Sequence, residues 1–231
     1  MNKSSYWVVI PAAGVGRRMG ADRPKQYLSL HGRSVLERTI DLFTSHPEIR
    51  GIAVAIGKND SWWPTLECSR DPRVMQVEGG IERADSVRNA LEFLAHRASD
   101  EDWVLVHDAA RPLLSDSDLA RLMTQASNHP VGGILAVPAR DTIKRVGEGN
   151  RIESTVDRST LWHAQTPQMF RLNMLRRALI EAADNGLAVT DEASAMELMG
   201  LSPIVIEGSA DNIKITRPED LGYAEWLLQK A

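Results

Sequence analysis

The sequence predicts an α/β fold: a mostly parallel, twisted sheet with helices on both faces. Two observations predict it. Short apolar runs of strand type alternate along the 231 residues with segments whose apolar positions recur at helical spacing. Several of those runs also end in small-residue or acidic loops, the edge at which open α/β sheets bind ligands. The length suits one core, and no repeat or low-complexity linker divides residues 1–231, so one domain is expected.

Composition narrows the function. Hydrophobic residues make up 43% and charged residues 25%, as in a soluble globular protein, and the net charge of −4 argues against broad nucleic-acid binding. Cys68 is the one cysteine, which excludes an internal disulfide and a cysteine metal cluster and leaves a buried spectator. The first ten residues lack the basic start and apolar core of a signal peptide, and no run is long enough to span a bilayer. A cytoplasmic protein with no membrane partner is therefore expected.

In chain order, Trp7 to Ile10 is a strand that runs into Pro11-Ala12-Ala13-Gly14-Val15-Gly16-Arg17-Arg18-Met19-Gly20, closed by Pro24-Lys25-Gln26. The glycines fail the dinucleotide fingerprint, because Met19 stands where its third glycine belongs and Gly57 stands where its ribose-binding acid belongs. They also fail the Walker pattern, since Ala21 and Asp22 follow Gly20. Two readings of the loop stay open on its own residues: a tight turn with solvated charges, or a backbone cradle for phosphates flanked by Arg18 and Lys25.

Ser34 and Glu37 form a capping-box pattern ahead of Val35, Leu36, Ile40, Leu42 and Phe43, the apolar face of a helix. Strands follow at Ile52 to Ile56 and Val74 to Val77, with Trp62-Trp63-Pro64 between them as a packed loop rather than a stacking site. Gly79-Gly80-Ile81-Glu82-Arg83-Ala84-Asp85-Ser86 precedes a helix carrying Val87, Ala90, Leu91, Leu94 and Ala95; Asp85 or Ser86 is its expected cap, and the glycines permit close approach to a flat base. Trp103 to Val106 is a strand ending in His107-Asp108. His107 reads as a structural histidine rather than a base, and Asp108 as a turn residue or a ligand for a hard cation facing phosphates.

Ser115 and Asp118 open a helix with Leu119, Leu122 and Met123, and Gly132 to Val137 is the next strand. From about 138 to 160 the chain is charged and thinly apolar around Gly147-Glu148-Gly149-Asn150, the pattern of a hairpin arm that packs on a neighbour such as a second copy. Trp162 to Gln168 reads as a polar loop. A helix follows from about Asn173 to Gly186, another from Thr190-Asp191-Glu192 to Gly200, strands at Ile204 to Ile206 and Asp211 to Ile215, and a last helix boxed by Thr216 and Glu219.

Across these stretches PAAGVGRRM with PKQY, GGIERADSV, VHDAARP, RDTIKR, TVDR, QTPQ, TDEAS and DNIKITRPED resemble the 2-C-methyl-D-erythritol 4-phosphate cytidylyltransferases of the non-mevalonate isoprenoid pathway. The order and spacing of the matches, from about residue 8 to residue 221, carry the resemblance where each motif alone is weak. It implies a Rossmann-like nucleotidyltransferase fold, CTP as donor, Mg²⁺, and a homodimer whose arms reach across to the partner. By the same resemblance Ala12, Ala13 and Gly14 contact the nucleotide through their backbone, Arg18 and Lys25 bind the triphosphate, and Gly80 and Ser86 lie on the cytosine side. Asp108 and Asp211 lie on the metal side, and Lys214 resembles a second catalytic lysine. Arg111, Thr166 and Thr190, with Thr142 and Arg158 of the partner's arm, resemble the methylerythritol phosphate pocket. Ile81 departs from the family pattern, where a polar and often acidic residue is expected, so only a backbone contact is implied there.

The implied chemistry suits the residues. A phosphate monoester is mostly a dianion at neutral pH and needs no general base, and the obstacle of bringing it to an anionic α-phosphate is one that Arg18, Lys25 and Lys214 address by charge. Two rivals stand beside this reading: a cytidylyltransferase for another polyol phosphate such as ribitol 5-phosphate, and a nucleotide-binding module without activity.

Overall fold

The computed structural model describes residues 5–14 and 23–230, so Arg18 lies outside the described residues. Eleven strands and six α-helices are laid down in chain order: β1 (Tyr6–Pro11), β2 (Ser29–Leu30), β3 (Arg33–Ser34), α1 (Val35–Thr44), β4 (Ile49–Ile56), β5 (Val74–Glu78), α2 (Arg83–Ala95), β6 (Trp103–Val106) and α3 (Asp116–Ser127). They continue with β7 (Gly132–Pro138), β8 (Ile143–Val146), β9 (Ile152–Val156), β10 (Trp162–Arg171), α4 (Leu172–Asp184), α5 (Glu192–Leu198), β11 (Ile204–Glu207) and α6 (Pro218–Lys230).

Seven strands form one sheet in the order β11-β7-β10-β6-β1-β4-β5. All its pairings are parallel except those of β10, which runs against both β6 and β7. The alternation of a strand puts Val8 and Ile10 into one apolar core and Val9 into the other. The first core packs against α1 and α3, the second against α2, α4 and α5. A smaller core of Leu30, Val35, Ala110, Ile215 and Ala224 lies beneath α6. The α/β expectation therefore holds, as does the hairpin arm, where β8 pairs antiparallel with β9 and leaves Val146 and Ile152 exposed.

The sequence-derived elements differ from the structure in four places. Residues 162–168, expected as a polar loop, are the first part of β10, with a register shift between Ala164 and Gln168. Its glutamines and threonine are buried by polar partners rather than apolar ones, which breaks the alternation a strand usually shows. Asp211 to Ile215, expected as a strand, is irregular. Ile215 donates its N–H to Ala110 O at 2.8 Å and buries its side chain in the core under α6, so its apolar spacing serves that core and not the sheet.

Helix starts account for the other two. α2 begins at Arg83 with Glu82 as its cap, and the Asp85 carboxylate accepts the Glu82 N–H at 3.1 Å, so neither Asp85 nor Ser86 is the capping residue. Ahead of α6 it is Asp220, not Glu219, that accepts from the Thr216 N–H, the Thr216 hydroxyl and the Arg217 N–H. By contrast the Ser34–Glu37 capping box and the Ser115 cap form as expected. Cys68 is buried, and Trp62 stacks on Tyr27 with ring centres 6.3 Å apart, consistent with a packed loop. Among the described residues no helix is long and apolar enough to cross a membrane.

Candidate active site

Two adjoining clefts open along the carboxyl ends of β1, β5 and β6. One encloses about 640 Å³ and is lined by Ala12, Ala13, Gly14, Lys25, Gly80, Ser86, Asp108 and Lys214, gathering eight of the residues singled out by sequence. The second, of about 520 Å³, is lined by Arg111, Thr166 and Thr190 and again by Asp108 and Lys214. Arg83, Asp108 and Lys214 belong to both, so the clefts meet at one charged cluster. Both volumes fall within the size of small-molecule sites.

The nucleotide-side wall is made largely of backbone. Gln26, buried in the short turn after Lys25, donates its side-chain amide to Ala12 O at 2.8 Å and Gly14 O at 3.0 Å, holding the end of β1 in place. Gly79 must be glycine for this wall to exist. A Cβ there would lie 2.3 Å from the Ala13 Cβ, so the loops after β1 and β5 could not approach. Ser86, relieved of capping, accepts the Gly80 N–H at 3.0 Å and fixes the second loop against the first turn of α2.

Charge concentrates where the clefts join. Asp108 follows β6 and is largely buried; Arg83 Nε lies 3.0 Å from one of its oxygens and Lys214 Nζ 2.7 Å from the other, with Arg111 Nε at 3.8 Å. Burial pushes the Asp108 carboxyl up, but Arg83 and Lys214 outweigh it and hold the group well below the usual carboxylate range. Arg83 also makes a two-pronged contact to Glu192 at 2.7 and 3.0 Å. Its guanidinium thereby ties the first turns of α2 and α5 to the end of β6. Burial lowers the Arg83 pKa, and the two carboxylates more than reverse this. Arg111 has the opposite balance: burial leads, and its pKa falls.

Lys25 and Lys214, 189 residues apart, are joined by one peptide. Lys25 Nζ donates to Ile215 O at 3.0 Å, next to Lys214 in the chain. The irregular segment around Lys214 is held in turn by Asn212, wholly buried, whose amide donates to Thr166 O at 2.9 Å while its own carbonyl accepts from Arg111 at 2.5 Å. His107 is fully buried, and burial pulls its ring down to about 4, which agrees with a structural histidine.

Three sequence-predicted residues do not line either cleft in this chain. Thr142 and Arg158 lie exposed on the arm, where the Arg158 guanidinium contacts Arg140 O, and Asp211 is exposed with its N–H bound to Ser209 Oγ at 3.1 Å. Sequence reasoning in turn passed over Arg83, Glu192, Gln26 and Asn212. Each stands inside a motif that carried the resemblance, and GGIERADSV and TDEAS are tied together by the Arg83–Glu192 contact.

Comparison with known proteins agrees with this geometry. The family model described as 2-C-methyl-D-erythritol 4-phosphate cytidylyltransferase (IspD) matches residues 6–230. The chain is 58% identical to the enzyme of that name from Pseudomonas putida strain W619 over 98% of its length and 95% of the relative's, and 57% identical to that of Pseudomonas entomophila at the same coverage. Its fold superposes on a crystal structure of a 4-diphosphocytidyl-2C-methyl-D-erythritol synthase with TM-score 0.85 at 41% identity, covering 99% of this chain and 100% of the other. The cytidylyltransferase of the same name from Thermus thermophilus gives TM-score 0.80 at 33% identity, over 97% and 99% of the two chains. With a two-cleft site at the strand ends and near-complete matches to one family, the chain belongs to the 2-C-methyl-D-erythritol 4-phosphate cytidylyltransferase family.

Proposed function

We propose that the two clefts hold CTP and 2-C-methyl-D-erythritol 4-phosphate side by side, and that the chain transfers CMP from the first to the second. The observation that carries this is the shared wall: Arg83, Asp108 and Lys214 border both clefts, so the two phosphates would meet there. An oxygen of the acceptor phosphate attacks the α-phosphorus of CTP in line, the bond to the β-phosphate oxygen breaks, and pyrophosphate leaves with that electron pair. No proton need be removed, because the attacking phosphate is already mostly a dianion. The chain has to offset repulsion between anions. Lys25 and Lys214 are placed for this, and the hydrogen bond of each to Ile215 O or Asp108 keeps its charge in position before reaction. Arg18 would grip the triphosphate with its planar fork.

The residues fit Mg²⁺ in a limited way. Among the described residues no group of three or more His, Cys, Asp or Glu side chains could hold a metal, which agrees with an ion that takes one or two carboxylates and phosphate oxygens. Asp108, a hard oxygen donor at the cleft junction, would hold it, with Asp211 as a further carboxylate from the same irregular segment as Lys214. When bound it would neutralise phosphate charge. The acceptor site would be completed by Thr142 and Arg158 of the partner subunit in a homodimer, and the need for CTP places the enzyme in the cytoplasm.

Pyrophosphate release tests the reading directly. Each of the four nucleoside triphosphates is offered with methylerythritol phosphate or ribitol 5-phosphate, and CTP with methylerythritol phosphate is expected to be the fastest pair. Release with ribitol 5-phosphate alone would favour the rival acceptor, and none with either would leave a binding module. For the shared site, inactive Lys25→Ala is refolded with inactive Arg158→Ala. Mixed dimers are expected to regain activity at one intact site.

A further inference from the structure

Thr166 sits in the acceptor cleft with each of its hydrogen-bonding capacities but one already assigned. Its hydroxyl oxygen accepts the Asp108 N–H at 3.0 Å and lies 3.0 Å from His107 Nδ1. The direction of that second bond follows from the far side of the ring. His107 Nε2 is 2.9 Å from Arg111 O, a carbonyl that can only accept, so Nε2 carries the hydrogen. The ring is wholly buried, packed edge-on to Phe43, and neutral, which leaves Nδ1 bare. Thr166 therefore donates its one hydroxyl proton to His107.

What remains on Thr166 is a single lone pair facing the cleft, since a hydroxyl has one donor and two acceptor positions. From this we infer that His107 is a positioning residue that sets the polarity of the acceptor site: it turns Thr166 into an acceptor only, one that reads a hydroxyl of the polyol and rejects the phosphate. A phosphate dianion has no hydrogen to offer such a group. The acceptor's phosphate then lies toward Lys214, and a hydroxyl of its carbon chain donates to Thr166. This inference rests on the proposed transfer to a polyol phosphate and adds the orientation of that substrate.

Analogues of methylerythritol phosphate test it on the wild-type enzyme, each hydroxyl being replaced in turn by hydrogen or by fluorine, which accepts but does not donate. At one position both replacements are expected to lower kcat/KM equally, roughly three- to tenfold for one lost hydrogen bond, with the KM for CTP unchanged. In Thr166→Val the same replacements are expected to cost nothing further. Two-bond ¹⁵N–¹H spectra of the His107 ring are expected to show hydrogen on Nε2 and none on Nδ1, a readout that needs no variant. A fluorine analogue that keeps activity where the hydrogen analogue loses it, a loss that persists in Thr166→Val, or an Nδ1–H tautomer would each overturn the inference. Failure of the unmodified substrate to release pyrophosphate would instead count against the proposed transfer, and the ring spectra would still decide the polarity of Thr166.

Discussion

The two walls of the site are made of different material. On the nucleotide side the groups are mainly backbone, offered by loops after the parallel strands β1 and β5 and locked by Gln26 and Ser86. The acceptor side is built from side chains of the antiparallel strand β10 and the irregular segment after β11, with Gln165, Thr166, Gln168 and Asn212 all buried and hydrogen-bonded to one another or to neighbouring peptides. A backbone wall depends on close approach and tolerates no added atom at Gly79. A side-chain wall depends on satisfied polar pairs and tolerates no lost partner.

The largest effects are expected where both walls meet. Lys25→Ala and Lys214→Ala should each lower turnover by on the order of 10² to 10³, the range for removing one preorganised electrostatic group. Their melting temperatures should stay near wild type, since the Lys214 side chain is 40% exposed. Near wild-type turnover in either folded variant would remove that lysine from the mechanism.

Next comes the link between the walls. Glu192 is 1% exposed and bound twice by Arg83, so Glu192→Gln should destabilise by about 1.5–3 kcal/mol, the value of hydrogen bonds to a charged group. Because Arg83 borders both clefts, both substrates should bind more weakly. A change in only one KM would show that the walls are independent. Gly79→Ala is expected to separate them in the other direction. Its Cβ forces the Ala13 loop away, which should cost about 1–3 kcal/mol of stability and raise the KM for CTP while the acceptor KM holds. Isothermal titration with each substrate checks both variants.

The same contrast explains what was legible in the sequence. Parallel strands are buried on both faces and read as apolar runs, so β1, β4, β5, β6 and β7 and the loops after them could be placed, together with Lys25, Gly80, Ser86 and Asp108. Gln165, Thr166 and Gln168 interrupt β10 with polar residues whose partners come from distant segments, and no local pattern announces that. Lys214 was identified by resemblance, yet the strand assigned around it does not exist, because Ile213 and Ile215 serve the core under α6. Arg83 and Glu192 are 109 residues apart in the chain, and only folding makes them a pair.

The smallest effect lies outside both walls and tests whether stability and binding can be told apart. Glu37 accepts from the Ser34 N–H at 3.0 Å, the Ser34 hydroxyl at 2.9 Å and the Glu67 N–H at 3.1 Å. Burial pushes its carboxyl up, but those bonds outweigh burial and hold its pKa below the ordinary value. A carboxyl lowered on folding stabilises above its unfolded pKa, about 4.3, and that contribution is lost as pH falls through the folded value. Glu37→Gln should therefore lower stability at pH 7 by about 1 kcal/mol, as for loss of a helix cap. Urea titrations should show the gap to wild type unchanged down to about pH 5 and closing below about pH 4, around that unfolded pKa. Both KM values should stay at wild type throughout the neutral range. A shift in either would mean that α1, though it touches neither cleft through Glu37, sets the position of a wall, and that the division between backbone and side-chain walls does not isolate the site from its scaffold.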